Sequence, residues 1–249
     1  MASQSSAPRM IELEALAPGS LELRRRTVPV ELRRHPRARR ISLRISKDGD
    51  GIVLVLPQRT PIREALDFAE NNGSWVLSRL EAAPPRVPFA AGAVVPLLGV
   101  DHRIEHDPAA RRGVWRGVRQ GEAIIRVSGA PEFLPRRIGD FLKREARREI
   151  AGRAREKAAR VERRIGRISL RDTRSRWGSC SSNGDMNFSW RLILTPEVVL
   201  DYVVAHEVAH LVELNHSRRF WRLADSLSSD MAAAKTWLNR EGGQVHRYG

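Results

Sequence analysis

His206-Glu207-Val208-Ala209-His210 carries two imidazoles four residues apart, with a carboxylate between them. On a helix, residues four apart lie on one face, about a turn from each other. Two imidazoles at that spacing reach one tetrahedral zinc ion at about 2.0–2.1 Å from each nitrogen. Glu207 is rotated by roughly 100° from His206. It therefore stands beside the ligand row rather than in it, where it can accept a proton from a metal-bound water. His216 follows six residues after His210, just past Asn215. Asparagine tolerates the left-handed backbone that ends a helix, so Asn215 is the expected point where the chain turns and returns His216 to the metal. Three imidazoles and one water make an open, catalytic site rather than a closed structural one. Zn2+ is the expected cofactor, although three imidazoles also accept other divalent metals.

The flanks support the same reading. Val203, Val204, Val208 and Leu211 make the rest of the segment apolar. A buried helix with two histidines and a glutamate must satisfy those polar groups, and a metal does so. His35, His102, His106 and His246 have no partner at ligand spacing and read as surface residues. The register H-E-x-x-H-x5-H is that of metzincins, which place a glycine where Glu213 stands. Glu213 resists a positive φ, so a different turn is expected. Glu213 is also an alternative ligand to His216, with geometry favouring His216.

Several further segments carry a specific resemblance. They are Arg176-Trp-Gly-Ser-Cys-Ser-Ser182, Asn187-Phe-Ser-Trp-Arg-Leu192, Tyr202 to His210, Asn215-His-Ser217 and Phe220-Trp221. Together they resemble the YgjP-like family, zinc metallopeptidases similar at the metal site to the SprT-like and WLM metallopeptidases. The likeness is strong over about 130–240 and looser over 30–106. It implies that His206, His210 and His216 are zinc ligands and Glu207 the general base. It also implies that the Trp-Gly-Ser-Cys loop and the strand from Asn187 to Trp190 frame the site. The mechanism that follows is peptide-bond hydrolysis by a zinc-bound water, with a substrate strand paired to the edge of Asn187–Trp190. Arg191 and Arg176 are candidates for stabilising the oxyanion, and each also reads as a structural or surface arginine. Cys180 reads as a small buried thiol, not a nucleophile.

The elements that must position these residues suggest an α+β fold, a zincin-like catalytic domain with the His206–His210 helix and a small sheet, behind a β-rich N-terminal region. Residues 1–23 read as a flexible leader, 24–130 as the β-rich region with one helix, and 131–249 as the metallohydrolase domain. Arg39–Arg44 and Ile52–Leu56 flank a Gly/Asp turn and suggest a hairpin. Thr60-Pro61 opens a helix to about Leu80, weakened by Asn71-Asn72-Gly73. Val94–His106 and Val114–Val127 suggest short strands. A long helix spans about Pro135–Val161, followed by a strand at Arg167–Asp172 and a Gly/Ser-rich loop at Trp177–Gly184. Another strand covers Met186–Trp190. Thr195-Pro196 opens the helix of the metal motif, and two more helices fit Arg218–Leu227 and Met231–Arg240. No internal repeat is visible.

Composition narrows the class. The 249 residues suffice for a buried core, and hydrophobic content of 41% is ordinary for a globular protein. One cysteine excludes an internal disulfide and fits a reducing, cytoplasmic compartment. The apolar run Val94–Val100 is too short to cross a bilayer, and the N-terminus lacks the apolar core of a signal peptide. The net charge of +15 is not ordinary. Residues 136–176 hold 16 basic and 6 acidic residues, and residues 24–44 hold 9 and 1, so two segments carry the excess. Such segments suit a polyanion such as nucleic acid, and equally suit a solvated helix face. A metallopeptidase acting on a peptide or protein is the leading reading. A nucleotide or phosphoanhydride hydrolase using the same metal, and a nucleic-acid-associated protease using Arg136–Arg176, are the alternatives.

Overall fold

The computed structural model describes residues 9–15, 24–46, 51–81 and 85–249. The chain divides into two compact units, Met1–Pro85 and Arg86–Gly249.

In the first unit, strands β1 (Arg9–Ala15), β2 (Arg24–Arg34), β3 (Ser42–Ile45) and β4 (Ile52–Leu56) form a sheet of order β1-β2-β4-β3. β2 and β4 run parallel, and both outer pairs are antiparallel. The expected hairpin is β3–β4, in register from Ser42↔Val55 to Ile45↔Ile52. Its turn at 47–50 lies outside the described residues. β4 reads as an unbroken apolar run because it is central and almost wholly buried. The expected helix over 61–80 is two helices, α1 (Ile62–Asn71) and α2 (Gly73–Glu81), separated at Asn72. Asparagine and glycine are weak helix formers, and here the pair wins over the apolar periodicity. The helices bury Ala65, Ala69, Val76 and Leu80 with Val30, Ile52 and Leu54 of the sheet.

One expectation is corrected here. Arg9–Ala15, read as part of a leader, is a strand paired from Arg9↔Val30 to Ala15↔Arg24. The alternation Ile11-Glu12-Leu13-Glu14 is the period-two signal that fits it. The rest of that leader, 1–8 and 16–23, lies outside the described residues.

The second unit opens with β5 (Val94–Leu97), β6 (Val100–His106), β7 (Val114–Arg119) and β8 (Glu122–Val127), in the order β5-β6-β8-β7. Leu98-Gly99 and Gln120-Gly121 have φ of 52°/84° and 51°/84°, as two-residue hairpin turns of the I′ type require. The middle pair is parallel and the outer pairs antiparallel. This sheet therefore repeats the strand order and directions of the first. The sequence showed no repeat because the shared feature is a pattern of strands, which many side-chain choices satisfy.

Helix α3 (Leu134–Arg160) follows. Its buried face, Leu134, Ile138, Leu142, Ile150 and Ala154, shares one core with Val95, Leu97, Ile104, Ile125 and Val127 of the sheet. The boundary expected at 130/131 is therefore corrected to Pro85/Arg86. The apolar faces of β5–β8 are covered by the catalytic part's own helix.

Strands β9 (Ile168–Arg171), β10 (Gly178–Cys180) and β11 (Met186–Ser189) form a small sheet of order β10-β11-β9. Helices α4 (Glu197–Ala209), α5 (Arg218–Leu227) and α6 (Met231–Glu241) complete the α+β fold. α4 is apolar on most sides, as a mostly buried helix must be. A buried ion pair fixes it: Lys157 Nζ lies 2.6 Å from Asp201 Oδ1 and donates to the Leu227 carbonyl at 2.6 Å. No helix among the described residues is long and apolar enough to cross a membrane.

Candidate metal centre

α4 ends one residue before the second histidine of the motif, and His210 is its C-cap. His206 and His210 remain on one face, with ring centroids 5.0 Å apart. The chain then turns through 211–216 and brings back His216, whose Nε2 faces His206 Nε2 at 3.1 Å. One ring nitrogen from each of the three histidines lies within 4.8 Å of the others. Nitrogens bonded to a tetrahedral ion at about 2.0–2.1 Å stand about 3.4 Å apart, so the three histidines are close enough to hold one metal ion. The donor set fits in a second respect. His210 Nδ1 bonds the Glu213 carbonyl oxygen at 3.1 Å, which leaves Nε2 with its lone pair directed at the cluster. Burial, with the neighbouring His210, His216 and Lys235, pushes His206 down to about 4, so its ring is neutral near pH 7.

The aromatic residues around the cluster hold it in shape. Ser217 caps α5 by accepting a hydrogen bond from the Phe220 N–H at 3.2 Å. That start places the fully buried Phe220 ring against all three histidines, at 4.9, 4.5 and 4.6 Å between centroids. Trp221 stacks on His216 at 5.4 Å, and Lys235 Nζ sits 4.3 Å from the Trp221 ring.

Glu207 is buried, with 5% of its surface exposed. Burial raises its carboxyl to about 7, against the opposing charge of Arg176. Its room comes from Gly178 on β10. A Cβ at that position would meet Glu207 Oε1 at 2.5 Å and Cγ at 2.7 Å. A cleft of about 380 Å³ lies beside this contact, lined by Arg171, Arg176, Gly178, Asn187 and Phe188 among others.

Three expectations change, and one alternative falls away. Asn215 is not left-handed, since the non-glycine residues with positive φ among those described are Leu98, Gln120 and Glu162. The return to His216 is made instead by tight turns, with Leu211 and Val212 N–H groups donating to Val208 and Ala209 carbonyls. Glu213 does not join the cluster, and contributes its backbone oxygen instead. Arg191 is not free to meet an oxyanion. It is 8% exposed, donates to Asp172 at 2.7 and 3.2 Å, and donates to the Val245 and Tyr248 carbonyls at 3.2 and 2.7 Å. The strand Asn187–Trp190 has no open edge, because β11 is central. The edge strand against α4 is β10, which lies inside the segment read as a loop.

Cys180 stays a thiol. Burial and the charges of Glu207 and Asp185 push it up to about 11, which removes it as a nucleophile at neutral pH. Gly178 and Phe220 are the residues whose roles the sequence reading missed. Both stood in quoted motifs, but nothing in a linear sequence says that a glycine faces a carboxylate.

Three converging histidines beside a buried glutamate on a mostly buried helix define the class of a metal-dependent hydrolase. The comparison with protein families agrees: the YgjP-like, metallopeptidase domain matches residues 39–241. The chain belongs to the YgjP-like family. No curated protein and no solved structure matches it.

Proposed function

We propose that this chain is a zinc-dependent peptidase of the His-Glu-x-x-His type, in which His206, His210 and His216 hold Zn2+ and Glu207 is the general base. The observation that carries the reading is the convergence of three imidazole nitrogens within 4.8 Å, next to a buried carboxylate. When bound, zinc supplies a Lewis acid for the scissile carbonyl and a water acidified to about pKa 7. Glu207 accepts a proton from the attacking water as the new C–O bond forms, and delivers it to the amine nitrogen as the C–N bond breaks. A substrate strand pairs with the open edge of β10, so its main chain is aligned over α4. Arg176, exposed and close enough to influence Glu207, is placed to balance the oxyanion.

The test is metal content by mass spectrometry on protein purified without chelator. About one zinc per chain is expected, lost in His210→Ala, because a site with two imidazoles left holds zinc weakly. Protein that takes up no zinc even when it is added would sink the reading. A second expectation concerns Gly178→Ala. The new methyl must push the Glu207 carboxylate aside, and a displacement of about 1 Å at a reacting group costs roughly 100-fold in rate. Peptide cleavage should fall by about that factor with zinc content and thermal midpoint unchanged. Full activity in this variant would show that Glu207 does not need the position it occupies.

A further inference from the structure

We propose that the groove between α3 and β9 binds a single-stranded nucleic acid through its phosphates. Two cavities of about 750 and 460 Å³ lie along this groove and share Arg147 as a wall. Their walls carry Lys143, Arg144, Arg147 and Arg171 in the first and Arg155, Arg163 and Arg164 in the second. The first cavity also has Arg136 near the start of the helix. From Arg136 to Ala158, α3 runs about 33 Å at 1.5 Å per residue. A strand stacked as in a duplex, at about 3.4 Å per nucleotide, places about ten phosphates over that length.

A row of arginines on a helix is often a solvated face that neutralises its own glutamates. Here the two populations are separated. Glu145 and Glu149 pair with Arg148 and Arg153, and neither arginine lines the groove. Among the described residues no carboxylate comes within 4.0 Å of the charged groups of Lys143, Arg144, Arg147, Arg155, Arg163 or Arg164. The acidic walls are Asp140 and Asp172, and Asp172 is held by Arg191. Arg147 donates to the Ile168 carbonyl at 3.3 Å, which leaves its charge uncompensated, and cations without a carboxylate partner in a concave surface focus the field and attract a polyanion.

The chemistry selects among polyanions. Guanidinium forks match phosphate oxygens in pairs, and all but one of these cations are arginine. A concave groove does not lie flat on a bilayer. An acidic peptide would need a carboxylate at nearly every step to meet so many cations. The groove's aromatic residues, Phe89 and Trp190, are each 5% exposed, so bases have little ring to stack on. Binding is therefore electrostatic and indifferent to base sequence.

The experiment is fluorescence anisotropy with labelled 20-nucleotide oligo(dT) and oligo(rU), and a 20-base-pair duplex, titrated over a range of salt. The probe variant is Lys143→Glu/Arg155→Glu/Arg163→Glu. The control is Arg111→Glu/Arg112→Glu/Arg116→Glu, which makes the same charge change at exposed positions outside the groove. Three lost phosphate contacts should reduce the slope of log K against log salt by about 2, and weaken binding about 100-fold at 0.1 M salt. The control triple should bind as the unmodified protein does. The DNA and RNA strands tell which sugar is preferred, and tight binding to either one supports the proposal. Equal loss in both triples, tighter binding to the duplex, or equal competition by polyglutamate of the same charge would overturn it. His210→Ala should bind the oligonucleotides normally, so failure of the zinc reading and failure of this one are separable.

Discussion

Glu207→Gln is expected to lower peptide cleavage by about 100- to 10,000-fold while leaving about one zinc per chain, since general acid–base groups contribute in that range. The amide keeps the shape of the carboxylate but cannot accept the water's proton. Glu207 is not in the ligand cluster, so metal content reports on a different part of the site. The substitution is also gentle on the fold: the buried carboxyl, raised to about 7, is replaced by a neutral group of the same size. Zinc content, thermal midpoint and kcat measured on one preparation separate the outcomes. Unchanged kcat with zinc in place would remove Glu207 from the chemistry. Zinc lost along with activity would place it in metal retention instead.

Arg191→Ala should destabilise the second unit by about 1–3 kcal/mol, the cost of leaving buried hydrogen-bonding groups unsatisfied, since the half-exposed Asp172 carboxylate that it also pairs is rehydrated by water. Its guanidinium joins Asp172 just after β9 to the carbonyls of Val245 and Tyr248 near the C-terminus, and lies 4.6 Å from the Trp190 ring. Removing it strands those carbonyls and opens a cavity beside Trp190. The effect is also pH-dependent. Burial favours the neutral acid at Asp172, but the hydrogen bonds and charge of Arg191 outweigh it and hold the carboxyl below its usual range. A group with a lowered folded pKa stabilises the fold above its unfolded pKa, and that contribution is lost as pH falls through the folded value. The difference between wild type and variant in urea should therefore be full at pH 7 and shrink below about pH 4. A gap that stays constant into acid would mean that Arg191 acts by packing alone.

Much of the site was legible because its spacing is local. His206, Glu207 and His210 sit within five residues, and helical periodicity alone places them around one turn. The elements carrying strong periodicity were also readable: α3, α5 and α6 lie within a residue or two of their expected ends. Weakly patterned elements were not. β10 is three residues of Gly-Ser-Cys, a composition that reads as loop and becomes strand only by pairing with β11. Asn72 divides one expected helix because local backbone preference there is stronger than the apolar stripe. The arginines were countable from the start, but their separation into paired and unpaired sets depends on which face of α3 meets the rest of the unit.

Residue types and their order are enough for the α+β class, for the three histidines and the glutamate as candidates, and for the family that they resemble. These follow from residue type and short-range spacing. The folded chain adds that Gly178 opposes Glu207, that Arg191 is engaged by the C-terminal segment, and that β10 rather than β11 offers an edge. Each is a contact between elements distant along the chain. Such contacts are set by how the core closes, and no local pattern of residue types encodes that.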